Sequence, residues 1–224
     1  MPEDRRAAAR ALAHDAISAG EPLRWFEDLY RAAETGGVTV PWADFEVNPH
    51  LASWRRLADL PPGRALVVGC GYGDDAEWLS GQGWDVTAFD ISGTAVERAR
   101  ERFPRSPVDY AVADLLQVPA EWTVHRFDLV VEAYTIQVLP PGSAERAAAI
   151  RALADMTGRT LLVIARGGDP GDDSGSMPWP VAKSEFGALS DAGLDEIEFE
   201  DFIDEEIPPT RRFRITYQRA PSTA

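Results

Sequence analysis

The sequence predicts an α/β fold: one seven-stranded, mostly parallel sheet closed by a C-terminal antiparallel hairpin, with a helical cap at the N-terminus. Three observations point to it. Short apolar runs ending near Val68, Asp90, Ala113, Tyr134 and Ala165 alternate with helix-forming stretches, the pattern of parallel strands joined by crossover helices. The first run, Arg64-Ala65-Leu66-Val67-Val68, ends in the turn Gly69-Cys70-Gly71-Tyr72-Gly73 and opens a helix, and the second ends on the carboxylate Asp90, which is the nucleotide-binding half of a βαβ unit. Beyond strand five the alternation gives way to two strands, Leu194 to Phe202 and Arg212 to Arg219, joined across Pro208-Pro209.

The composition narrows the partners. A chain of 224 residues with 45% hydrophobic residues suits one domain with a sizeable core. We place a core at 59–220 and an N-terminal helical extension, or lid, at 1–58. The formal net charge of −15 disfavours nucleic acid and anionic membranes, which need a positive footprint. A small-molecule substrate remains, acted on by a monomer or a homodimer. The single cysteine, Cys70, permits no internal disulfide and fits a reducing compartment; between two glycines it reads as a small buried filler. No run has the length of a membrane span and no signal-peptide core opens the chain, so a cytoplasmic location is expected.

Taken in order, residues 3–19 are rich in Ala and Arg and form a helix with Leu12, Ala16 and Ala19 on its apolar stripe. A second helix runs from Pro22 to Ala33 and stops at Gly36-Gly37. Its Trp25, Phe26, Leu29 and Tyr30 recur at helical spacing, either packing the helix on the domain or covering a site. Pro41 and Pro49 make 40–51 an extended segment. Ser92 caps a helix to Phe103, with Val96, Ala99 and Phe103 inward, and Pro104 ends it. A helix from Ser143 leads to strand five at Thr160 to Ala165. The acidic, glycine-rich loop 167–176 then approaches the sheet ends as a lid or a plain surface loop. It delivers Trp179 beside strand five, before a short helix from Ser184 to Ala192.

The turn selects among ligands. A dinucleotide fingerprint carries Gly or Ala at its sixth position and offers a free helix N-terminus to a pyrophosphate. Here Asp74 and Asp75 stand there and would repel phosphate, while tolerating the sulfonium and ammonium of S-adenosylmethionine. Asp74 also reads as a helix cap, in a capping box with Glu77. Gly69, Gly71 and Gly73 let the backbone turn sharply and a ligand approach without meeting a Cβ, which puts Gly69, Cys70 and Gly71 against the cofactor, and Asp90, followed by Ile91, is placed to accept both hydroxyls of a ribose. The segment resembles motif I of the class I, Rossmann-like methyltransferases that use S-adenosylmethionine and release S-adenosylhomocysteine. That resemblance implies that Asp114 and Leu115, at the end of strand three, meet the adenine.

A second resemblance lies upstream. Pro41-Trp42-x-Asp44, followed by Pro49, Leu51 and Trp54, is similar to the N-terminal segment of thiopurine, thiol and halide methyltransferases. In that family the segment lies across the cofactor, which puts Trp42 at the methionine end, where an aromatic face attracts positive sulfur. The usual glycine between Asp and Pro is absent. Substrate contacts fall to Trp25, Tyr30 and Trp179, and catalysis to the strand-four end, where Glu132 also reaches the cofactor ammonium and Tyr134 lines the transfer channel. No metal-ligand spacing is present. A thiol-type acceptor is therefore expected. The alternatives are an O- or N-methyltransferase of a specialised metabolite, a non-catalytic nucleotide-binding protein, and an NAD-dependent enzyme.

Overall fold

A computed structural model of the chain describes residues 2–21, 23–172, 175, 177–206 and 208–220. Two helices, α1 (Pro2–Ser18) and α2 (Arg24–Glu34), precede an irregular strap and the short α3 (Pro49–Ala52). The βα alternation follows: β1 (Arg64–Val68), α4 (Asp74–Gly81), β2 (Asp85–Asp90), α5 (Gly93–Arg102), β3 (Asp109–Val112), α6 (Ala120–Val124), β4 (Phe127–Ala133), α7 (Ala144–Met156) and β5 (Thr157–Gly168). The two-residue β6 (Val181–Ala182), α8 (Gly187–Asp191), β7 (Leu194–Ile203) and β8 (Arg211–Arg219) complete the chain.

The sheet order is β3-β2-β1-β4-β5-β8-β7, with β6 paired to β5 off this path. Strands β1 to β5 are parallel, and β8 runs antiparallel to both β5 and β7. The expected seven strands and C-terminal hairpin are present; β6 is an eighth, too short to leave a periodic signal. The strand order reverses between β1 and β4, so the carboxyl ends of β1, β2 and β4 open onto a switch-point crevice.

Burial on both faces explains the continuous apolar runs. Leu66 and Val68 of β1 join Val130, Leu161, Val163 and α7 in one core. Their neighbours Ala65 and Val67 join Leu129, Val131, Ala76, Leu79 and Val96 in the other, which also takes Leu51 and Trp54. A third cluster is built by the cap, from Ala9, Ala13, Ala16, Trp25, Leu29 and Tyr30, and meets the body at Tyr72, Ala95 and Met177.

Most element boundaries follow local chemistry. Ser92 and Ser143 cap α5 and α7, each hydroxyl oxygen accepting an amide N–H at 3.1 Å. Helix α2 starts at Arg24; Pro22, the expected first turn, lies outside the described residues. The expected helix 184–192 divides into a 3-10 turn, Lys183–Phe186, and α8. Phe103 is half-buried at the end of α5 rather than inward, with the Arg102 guanidinium 4.8 Å above its ring. Helix α6 has no counterpart among the sequence expectations. Its Trp122 is held between Phe89 and Phe127, at 5.1 and 6.2 Å.

Candidate functional site

The crevice begins at the turn after β1. Gly69 has φ +64 and Gly73 φ +92, a region that side chains rarely adopt. A Cβ on Gly69 would stand 2.3 Å from the Thr135 hydroxyl, and one on Gly73 2.3 Å from that of Tyr110. The turn is tied to β2 through Asp90. One carboxylate oxygen of Asp90 accepts the Gly71 N–H at 2.9 Å, and the other accepts the Ser92 N–H at 2.9 Å. Asp90 is buried, and burial pushes its carboxyl above the usual range against the opposing pull of those amides. It therefore fixes the shape of the glycine turn, and it lines the crevice.

The acidic pair is engaged as well. Asp74 makes a two-pronged bond to Arg102, at 2.7 and 2.9 Å, and Arg102 also donates to the Tyr72 carbonyl at 2.7 Å. Glu77 accepts the Tyr110 hydroxyl at 2.7 Å. Gly73 is the N-cap of α4 and no side chain caps it, so the expected capping box of Asp74 and Glu77 is not formed. A guanidinium and a phenol, distant in sequence, have taken both carboxylates. Asp75 accepts the Asn48 N–H at 2.7 Å, and its burial pushes its pKa up to about 6.

Above the turn lies an aromatic group carried by α2 and the strap. The Trp42 indole N–H donates to the Tyr30 hydroxyl at 3.0 Å. Trp25 meets Trp42 edge-on at 5.9 Å and stacks on Phe26 at 3.9 Å, while Tyr30 meets Tyr72 at 5.2 Å. Trp42 is 41% exposed, an unusual exposure for an indole, and it lines the crevice.

At the far side, the end of β4 turns sharply. Tyr134 has φ +67, rare for a residue with a side chain. The Arg212 guanidinium lies 4.6 Å above its ring. Burial pushes the Tyr134 phenol up to about 12. Arg212 is held by Asp204 and Glu206, both at 2.6 Å. Glu132 is fully buried; one oxygen accepts the Thr135 and Ile136 N–H groups at 2.7 and 3.0 Å, and the other has no partner. Burial pushes its pKa up to about 7.

These parts enclose one cavity of about 1120 Å³. Of the residues singled out from sequence, Trp25, Tyr30, Trp42, Gly69, Cys70, Gly71, Asp90, Ile91, Asp114, Leu115 and Tyr134 line it. Glu132 and Trp179 do not. Trp179 faces a separate hollow of about 270 Å³ beside Pro140, Asp169 and Glu185, with its backbone N–H donating to the Gln137 carbonyl at 2.8 Å. Asp114 accepts the Leu116 N–H at 2.8 Å through one oxygen. Sequence reasoning passed over Asn48, Thr135, Arg166 and Arg212, all on the cavity wall. Only Asn48 left a signal: it precedes Pro49 and caps α3, accepting the His50 N–H at 2.9 Å.

The wall suits a phosphate-free cationic adenosine derivative. At the ends of β1, β2 and β3 it carries Asp74, paired to Arg102, with Asp75, Asp90 and Asp114, while Arg10, Arg166, Arg211 and Arg212 stand elsewhere on the wall; the carboxylates beside the glycine turn disfavour a pyrophosphate there.

A methyltransferase-domain family model matches residues 65–158. A probable thiol methyltransferase of Arabidopsis thaliana is 29% identical over 187 residues, covering 80% of this chain and 76% of that one. Thiocyanate methyltransferase 1 of the same plant is 29% identical over 114 residues, 48% of this chain and 49% of its own. Thiopurine S-methyltransferase of Pseudomonas syringae pv. pisi is 46% identical over 54 residues, 24% of this chain and 25% of its own. In structure, the N-methyltransferase NodS of Bradyrhizobium japonicum WM9, in complex with S-adenosylhomocysteine, superposes with a TM-score of 0.65 at 22% identity, covering 85% and 98% of the two chains. A protein described for the conversion of a disulfide bond into a thioacetal group during echinomycin biosynthesis gives 0.72 at 20% identity, covering 90% and 94%. Residues 65–158 form a methyltransferase domain, and in its order of strands and in the acidic end of β2 bound to the glycine turn the chain is similar to the class I methyltransferases that use S-adenosylmethionine.

Proposed function

We propose that this methyltransferase acts on a small organic acceptor through sulfur, at a nucleophile of the thiol or thiopurine type. The observation that carries this reading is the make-up of the cavity wall. Trp25, Tyr30, Trp42 and Tyr134 contribute aromatic surface, and no histidine or lysine stands among the described lining residues. A thiolate arrives already ionised and needs no proton acceptor, whereas amines and hydroxyls usually do. The volume of about 1120 Å³ exceeds the roughly 300–1,000 Å³ of a drug-sized site, which supports cofactor plus an organic acceptor over a bare halide. The relatives named for thiol, thiocyanate and thiopurine methylation support the same class.

When bound, S-adenosylmethionine supplies an electrophilic methyl group on a sulfonium. In this reading Asp90 holds the ribose hydroxyls, with Ile91 beside it, while Asp114 and Leu115 hold the adenine. Gly69, Cys70 and Gly71 offer backbone to the amino-acid end. Trp42, fixed by Tyr30, turns its face to the sulfonium, and an apolar wall favours a step in which opposite charges neutralise. Trp25 and Tyr30 bound the acceptor, and Trp179 shapes that end from behind the wall. Tyr134 lines the transfer channel. Glu132 acts as a positioning residue, setting the backbone of Thr135 and Ile136 just after Tyr134. Orientation of this kind supplies ~7–11 kcal/mol of barrier reduction in well-aligned reactions.

A cap at 1–58 over a core at 59–220 is supported by the separate packing of α1 and α2, although Leu51 and Trp54 pack with the sheet. The charge of −15 supports a small-molecule substrate with no nucleic-acid partner. The lone buried Cys70 supports a reducing, cytoplasmic setting, and among the described residues no helix is long and apolar enough to cross a membrane. Transfer to oxygen or nitrogen is the second reading, favoured by Asp44 and Glu46 on the wall, either of which could take a proton.

The test is a methyl-transfer profile with isotopically labelled cofactor against aromatic thiols, iodide, phenols and amines. Turnover of thiols well above the other classes is the expected result. Turnover of phenols or amines with none of thiols would replace the first reading by the second.

A further inference from the structure

Helix α2 of the cap is fastened to the start of α5 by a carboxylate. Glu27, on α2, sends both oxygens to the start of α5. One oxygen accepts the Ser92 hydroxyl at 2.7 Å and the Thr94 N–H at 3.1 Å; the other accepts the Thr94 hydroxyl at 2.7 Å and Arg31 at 2.9 Å. Burial alone would push Glu27 up, but the bonds from Ser92 and Thr94 and that from Arg31 carry it down to about 2. The anion sits where the helix dipole favours negative charge.

Two links connect this carboxylate to the site. In one direction Ser92 donates its N–H to Asp90, and Asp90 accepts the Gly71 N–H. In the other, α2 carries Trp25 and Tyr30, and Tyr30 accepts the Trp42 indole. The apolar cap core touches the body at few residues, Tyr72, Ala95 and Met177 among them. The other described polar tie from α2 to α5 is the looser pair Glu34–Arg98 at 3.7 Å, between half-exposed side chains. The placement of Tyr30 and Trp42 over the glycine turn therefore depends on how firmly α2 is held.

We propose that Glu27 is a positioning residue for cofactor binding: by clamping α2 to the start of α5 it holds Tyr30 and Trp42 over the glycine turn and slows the escape of bound cofactor. The inference rests on the cavity being the S-adenosylmethionine site. It assigns Glu27 no contact with cofactor or acceptor.

The test compares wild type with Glu27→Ala, Glu27→Gln and Glu34→Ala. S-Adenosylhomocysteine affinity is read by calorimetry and its release by stopped-flow tryptophan fluorescence. KM and kcat come from steady-state assays, and global stability from urea unfolding. Glu27→Ala is expected to weaken binding and raise KM for the cofactor about ten-fold, mainly through faster release, with kcat at saturating cofactor within about two-fold. Glu27→Gln keeps an oxygen for the two hydroxyls and should fall between, while Glu34→Ala should change affinity less than two-fold. Unchanged release and KM in Glu27→Ala would overturn the proposal. A weakening that Glu34→Ala matches, or that follows the loss of global stability across the variants, would reduce Glu27 to an ordinary packing contact and overturn it equally. Failure of the wild type to bind S-adenosylhomocysteine would instead refute the assignment of the cavity.

Discussion

Trp42 donates its indole N–H to the Tyr30 hydroxyl at 3.0 Å, joining the strap to helix α2 directly above the turn that carries Gly71. The bond fixes an otherwise exposed indole. Tyr30→Phe removes the acceptor and leaves the ring, so packing is retained and the indole is freed. A hydrogen bond of this kind is worth about 0.5–1.5 kcal/mol. Cofactor affinity measured by calorimetry should fall about two- to ten-fold in Tyr30→Phe, and Trp42→Phe should fall at least as far. Unchanged affinity in both variants would remove the aromatic pair from the binding site.

Two glycines on one helix should respond to alanine with opposite signs. Gly73 precedes α4 at φ +92, and a Cβ there would meet the Tyr110 hydroxyl at 2.3 Å. Gly81, within α4, has nothing within 4 Å of its Cβ position. Gly73→Ala should cost about 1–3 kcal/mol in urea unfolding and weaken cofactor binding. Gly81→Ala should stabilise by about 0.4–1 kcal/mol, through the unfolded chain, with affinity unchanged.

Stability should fall as pH rises from about 5 to 7.5. Glu132 is pushed by burial from 4.5 to about 7, and Asp75 from 3.8 to about 6. Each raised carboxyl keeps a proton that the unfolded chain has already released, so its contribution is lost between the unfolded and folded values. Glu27 is carried from 4.5 down to about 2 and acts in the opposite sense, losing stability as pH falls through that lower window. The optimum therefore lies near pH 5. At about 1.4 kcal/mol per pH unit, Glu132 accounts for up to about 3 kcal/mol of the decline. Urea midpoints at pH 5 and 7.5 should differ clearly in wild type and much less in Glu132→Gln. An equal difference in the variant would show that Glu132 titrates normally.

How far the fold could be read from the chain depends on how local the cause is. Strands β1, β2 and β4 were visible because burial on both faces forces continuous apolar runs, as at Leu66–Val68 and Leu129–Val131. Helix α6 was not, because its five residues are too few for a period and Trp122 holds them by contact with Phe89 and Phe127. The site divides the same way. The turn Gly69–Gly73 and Asp90 declare themselves by spacing, whereas Asp74 found its partner in Arg102 and Tyr134 in Arg212, pairings that only the folded sheet creates. Trp179 illustrates the converse: its position beside strand five was foreseen, but the backbone bond to Gln137 leaves it on another hollow.

The most direct test of the whole account is a calorimetric titration of S-adenosylhomocysteine and of NAD into wild type and Asp90→Ala. Asp90 joins the glycine turn to the start of α5 and is the residue proposed to hold the ribose, and its loss strips the Gly71 and Ser92 amides of their acceptor. One equivalent of S-adenosylhomocysteine should bind the wild type, NAD should not, and the variant should bind neither. Binding of NAD in preference to S-adenosylhomocysteine, or undiminished S-adenosylhomocysteine binding in folded Asp90→Ala, would contradict it.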